Sequence, residues 1–201
     1  MRSYHCAIPL TESDGEGVTT RKLSISVPGN AAIPWLVGGG VHGSAGPLQQ
    51  IDGLPCTDLV GLRGTSVSRF RLKARQPNSF SFSIPTPILF EDVAPRLNSV
   101  YILYKLDDSA RLSRLSVMDG PNEVLHLQFS STQRYLAESS QDTETAAGTL
   151  TTWEVPGHPT LQWGLGIGVI IDPLDGDSDV TFVSAGVELL LEVAQPAAVL
   201  G

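Results

Sequence analysis

Thr65–Ile84 reads TSVSRFRLKARQPNSFSFSI, and its alternation decides the fold class. From Thr65 to Ala74, Ser66, Ser68, Phe70, Leu72 and Ala74 fall on one side. Val67, Arg69, Arg71 and Lys73 fall on the other. After Gln76-Pro77-Asn78 the period of two resumes, with Phe80, Phe82 and Ile84 inward and Ser79, Ser81 and Ser83 outward. Successive side chains of a strand point to opposite faces, so each run predicts a half-buried β-strand. The short Pro-Asn connection predicts a β-hairpin between them.

The same signature recurs outward from this stretch. Ser99–Leu106, Arg111–Met118, Glu123–Ser130, Thr149–Val155, Leu161–Ile171 and Val180–Val193 all read as strands, with turn residues such as Asp107-Asp108-Ser109 and Asp119-Gly120-Pro121 between them. Upstream, residues 28–62 carry Gly38-Gly39-Gly40, Pro34, Pro47 and Pro55 and read as a long Gly/Pro-rich loop holding two short strands, Ile33–Val37 and Leu59–Leu62. Residues 1–62 are therefore the irregular part of one domain spanning 1–201. Arg134–Gln141 has the only helical character, one or two turns, and Asp142–Gly148 reads as exposed loop. The expected fold is an all-β, two-sheet antiparallel sandwich, jelly-roll-like, of roughly eight to ten strands.

Composition narrows the partners. A net charge of −8 has the wrong sign for nucleic acid or an anionic membrane. No apolar run reaches the length of a signal peptide or a membrane helix, so the sequence predicts a cytoplasmic protein. Cys6 and Cys56 fit that setting as buried thiols, and their pairing is not decided by sequence.

Several motifs resemble an uncharacterised bacterial family of small β-sandwich proteins. They are Phe80-Ser-Phe82-Ser-Ile84-Pro85-Thr86-Pro87, Asp92-Val93, Asp119-Gly120-Pro121, Trp163-Gly-Leu-Gly166-Ile-Gly-Val169, Phe182-x-x-Ala185-Gly186 and the early His42-Gly43-Ser44-Ala45. The resemblance implies the sandwich fold and brings no activity with it. Alternation places Trp163, Leu165, Ile167, Val169 and Ile171 on one face and Gly164, Gly166 and Gly168 on the other. A strand face without side chains invites close packing: a neighbouring aromatic such as Tyr101 or Phe182 covers it, or a ligand or partner does.

Candidate sites are few. Asp172, Asp175, Asp177 and Asp179 crowd one loop with the oxygen chemistry that calcium takes, although the spacing is not that of an EF-hand. The same aspartates also suit a solvated turn around Gly176. No organic cofactor is implied. Gly38-x-Gly40-x-x-Gly43 matches a dinucleotide fingerprint only formally, because Gly46-Pro47 follows where a helix is needed. His42 in that loop, Asp119 beside its turn, and the Arg69, Arg71, Lys73 stripe remain as ligand-binding candidates. The stripe equally suits pairing with acidic residues on a neighbouring strand.

No Ser, Cys or His constellation defines a nucleophile, so a non-catalytic binding or assembly module, self-associating through a sheet face or edge, is the first functional reading. The alternative is a calcium-assisted carbohydrate-binding module in which Trp35, Trp153 or Tyr135 stacks a sugar. A hydrolase using His42, Asp52 and Asp119 is the third.

Overall fold

The structure, a computed structural model, describes residues 11–14, 18–35, 60–63, 66–72, 78–87, 93–129 and 140–194. Two antiparallel sheets pack face to face, as the alternation predicted. The larger is organised on β13 (Ser178–Ala194). One edge of β13 pairs along β7 (Arg96–Leu106). The other edge is divided: its first residues pair β5 (Ser68–Leu72) and the remainder pairs β2 (Val18–Pro28). Beyond β2 lies β1 (Thr11–Asp14), and beyond β5 lies β4 (Val60–Arg63). Beyond β7 lie β11 (Gly148–Glu154) and β10 (Ser140–Thr145). The second sheet runs β3 (Ile33–Trp35), β6 (Asn78–Ile84), β12 (Leu165–Pro173), β8 (Ala110–Asp119), β9 (Asn122–Gln128). Thirteen strands are thus present among the described residues, more than the sequence count.

The expected hairpin at Thr65–Ile84 does not form. β5 and β6 are both strands with the predicted faces, yet they belong to opposite sheets. Each carries a phenylalanine stripe, and the two stripes bury against one another across the sandwich. Phe70 and Phe80 approach to 4.9 Å between ring centroids. Phe182 of β13 meets Phe80 edge-on at 4.9 Å and Phe82 at 5.3 Å. Layering buries both stripes, whereas side-by-side pairing would leave them on one surface.

The N-terminal part is more regular than its composition suggested. Leu23, Ile25 and Val27 alternate on β2, and all pack on the core. At Pro28 a single 3-10 turn, Gly29–Ala31, carries the chain across to the second sheet. That crossing requires glycine. A Cβ on Gly29 would stand 1.8 Å from the Phe182 carbonyl oxygen, at the point where the β13 register shifts. β3 and β4 then fall where the two short strands were expected. β10 replaces an expected loop: its residues 141–145 are wholly exposed, so backbone pairing to β11 holds it without an apolar face. The expected helical turns at 134–141 lie outside the described residues, except 140–141, which belong to β10. Among the described residues no helix is long and apolar enough to cross a membrane.

Candidate functional site

The β8–β9 connection is built from Asp119-Gly120-Pro121-Asn122, and Asp119 pairs directly with Asn122. A two-residue loop with φ +56° at Gly120 and a proline next to it suits a type II′ turn, since proline cannot take the second positive φ of type I′. β12 begins beside this turn, its Leu165 paired to Asp119 on one side and to Ile84 on the other. Asp119 is only 3% exposed, and both carboxylate oxygens are engaged. Oδ2 accepts the Gln162 amide N–H at 2.8 Å, and Oδ1 accepts that of Trp163 at 2.8 Å. The Gly120 N–H donates to the Gly164 carbonyl at 3.1 Å. From the other flank, the Thr86 hydroxyl accepts the Leu165 N–H at 3.0 Å and donates to the Ile84 carbonyl at 3.1 Å.

Three motifs far apart in sequence are thereby tied into one hydrogen-bonded knot: Ile84-Pro85-Thr86, Asp119-Gly120-Pro121 and Gln162-Trp163-Gly164. Its product is a fixed, exposed indole. Trp163 is 53% exposed, with its ring resting on Gly120: a Cβ there would meet Trp163 Cγ at 2.6 Å. The sequence had placed Trp163 inward with Leu165. The alternation fails there because the carboxylate claims the N–H groups of residues 162 and 163, so the strand starts only at Leu165. No signal in the local sequence marks that capture. Trp153, offered for sugar stacking, is 1% exposed and packs on Phe129. Trp35's side chain and Tyr135 lie outside the described residues.

Neither Tyr101 nor Phe182 covers the glycine stripe. A Cβ on Gly164 or Gly166 would find no atom within 4 Å, while at Gly168 it would meet Ser116 Oγ at 2.8 Å. Phe182 is in the core, and Tyr101 covers a different glycine. Its ring lies across Gly186, whose Cβ would come within 2.5 Å of the Tyr101 hydroxyl. Burial pushes the Tyr101 phenol above its ordinary pKa; a hydrogen bond with Ser26 opposes the rise and the nearby Glu188 charge adds to it.

The acidic loop meets the basic stripe at the opposite end of β12. Arg71 is the cross-strand neighbour of Asp179, and its Nε lies 3.6 Å from Asp179 Oδ1. The Arg69 guanidinium donates to Asp179 Oδ2, and that bond and the Asp179 charge hold the Arg69 pKa above its ordinary value. The Asp179 N–H donates in turn to Asp107 Oδ2 at 2.7 Å. Asp172 sits 3.6 Å from Arg111. Asp175 and Asp177 are exposed. Among the described residues no three His, Cys, Asp or Glu side chains converge. The nine residues of β12 set this cluster roughly 25–30 Å from Trp163. Asp119 and the acidic loop are therefore not parts of one site. His42, Lys73, Asp52, Cys6 and Cys56 lie outside the described residues.

No family model and no curated protein sequence matches the chain. Among solved structures it is similar to a Stig cyclase, Fisc from Fischerella sp. TAU, in complex with (3Z)-3-(1-methyl-2-pyrrolidinylidene)-3H-indole. The identity is 13% and the TM-score 0.33, over 96% of this chain and 90% of that one. A likeness of that size carries no argument about this protein's activity.

Proposed function

We propose that the protein is a non-catalytic binding module that contacts its ligand through the turn end where Trp163 stands. The supporting observation is the pinned indole: a buried carboxylate holds the backbone so that half of a large apolar ring stays in water. Tryptophan is favoured at recognition surfaces because it offers much rigid area with little rotamer freedom to lose. In the catalytic alternative Asp119 would have to act while its two oxygens accept the N–H groups of Gln162 and Trp163.

The test is an array of glycans, proline-rich peptides and the protein itself, probed with wild type and Trp163→Ala. A signal present for wild type and lost in the variant, with the unfolding midpoint unchanged, supports the module. Signals that all survive the substitution refute it.

A second reading is self-association through the outer face of the second sheet. Ile33, Ser81, Gly168, Ser116 and His126 form one cross-strand row there with few long side chains, and Ile33 is 39% exposed. Sedimentation equilibrium decides it: a strict monomer at micromolar concentration removes this reading.

A further inference from the structure

We infer that the Trp163 platform takes a neutral saccharide, one sugar ring stacking on the indole. The inference rests on the binding-module reading and adds the chemical class of the ligand.

Three observations support it. The first is isolation. The large apolar side chains exposed among the described residues are Ile33, Trp163 and Leu174. Ile33 is on the edge strand β3, and Leu174 follows the far end of β12. A protein partner needs a contiguous patch with a cluster of anchors, on the order of 800 Å² per side. A proline-rich peptide needs a groove lined by several aromatics. Among the described residues one flat ring stands apart, and it suits one flat ligand ring.

The second observation is the rim. Pro85, Pro121, Asn122 and Gln162 are exposed around the knot, and Thr86 is half-buried. None of them is charged. Asn122 and Gln162 bring carboxamides, which donate and accept at once and so match a sugar hydroxyl, itself both donor and acceptor. The Asp119 carboxylate is buried and occupied. With no Lys or Arg among these described rim residues and a net charge of −8, an acidic saccharide would be repelled.

The third is access. A Cβ on Gly166 would meet no atom within 4 Å, so among the described residues the strand beside the platform is open at that position. A platform open there admits interior units of a chain as readily as its end. One stacked ring with two or three hydrogen bonds corresponds to dissociation constants on the order of a millimolar.

The experiment titrates the full chain with maltohexaose, cellohexaose and xylohexaose, and with an oligogalacturonate as the acidic counterpart. Tryptophan emission and amide NMR shifts are followed, with and without EDTA. Trp163→Ala and Trp163→Phe are run beside wild type, with unfolding midpoints measured for each. The expected result is saturable binding of at least one neutral oligosaccharide, weakened about tenfold or more by Trp163→Ala. Trp163→Phe should retain part of the affinity. The oligogalacturonate should be silent. EDTA should have no effect, because the acidic loop lies at the other end of the sandwich.

Silence of every neutral saccharide up to roughly 20 mM overturns the inference. If a peptide or the protein itself then binds in a Trp163-dependent way, the module reading stands and only the ligand class falls. Saccharide binding indifferent to both Trp163 variants removes the platform itself.

Discussion

Replacing Asp119 with asparagine keeps the side-chain shape and removes one of its two acceptors. In the native protein the carboxylate accepts two backbone N–H groups, each at 2.8 Å, at a position 3% exposed. Asparagine can serve one of them through its carbonyl. The other N–H then faces an amide that also donates. A hydrogen bond to a charged group contributes about 1.5–3 kcal/mol, and an orphaned buried donor costs about 1–3 kcal/mol. The relieved burial of the negative charge offsets part of this, which leaves a net loss of about 2–3 kcal/mol for Asp119→Asn. Asp119→Ala removes both acceptors and should cost more, about 3–5 kcal/mol. For a chain of this size the asparagine variant should melt about 5–10 °C lower. Urea unfolding followed by circular dichroism measures both variants without relying on tryptophan emission. An asparagine variant within about 0.5 kcal/mol of wild type, or an alanine variant milder than asparagine, would refute the clamp.

Gly29→Ala should lower stability by about 3 kcal/mol or more, since the new Cβ meets the backbone of β13 rather than a side chain that can swing away. Gly176→Ala, where a Cβ meets nothing within 4 Å, is the control, and equal urea midpoints for the two would sink the argument. Tyr101 predicts an alkaline weakness. Its native pKa is raised, so from about pH 10 upward the unfolded chain releases a proton that the native chain keeps. Its contribution is complete below that pH and is lost as pH rises towards the native pKa. Urea midpoints between roughly pH 8 and 11 should therefore fall more steeply for wild type than for Tyr101→Phe, and parallel curves would count against it.

Strand identity was legible where alternation is local and strong. Phe70-Arg71-Leu72 and Phe80-Ser81-Phe82 show their faces without any knowledge of neighbours, because the pleat sets the period of two. β2 carries the same alternation in Leu23, Ile25 and Val27, yet it falls in the 1–62 stretch whose composition reads as irregular. β10, all polar, carried none, since only its backbone is used. The charge pairing of the Arg69, Arg71 stripe was foreseeable as a type of contact, and Asp179 as the partner was not.

Period alone determined that much of this chain would form β-strands with one apolar face, and that layers would have to bury those faces. Tertiary structure decided everything that depends on which strand lies beside which. It placed β5 and β6 in opposite sheets, because pairing partners are chosen by the whole chain rather than by the connecting turn. It also turned Trp163 outward, because a carboxylate more than forty positions earlier captures its N–H before the strand begins. Side-chain direction follows from local geometry within a strand, whereas the point at which a strand starts is set by competition for its hydrogen bonds.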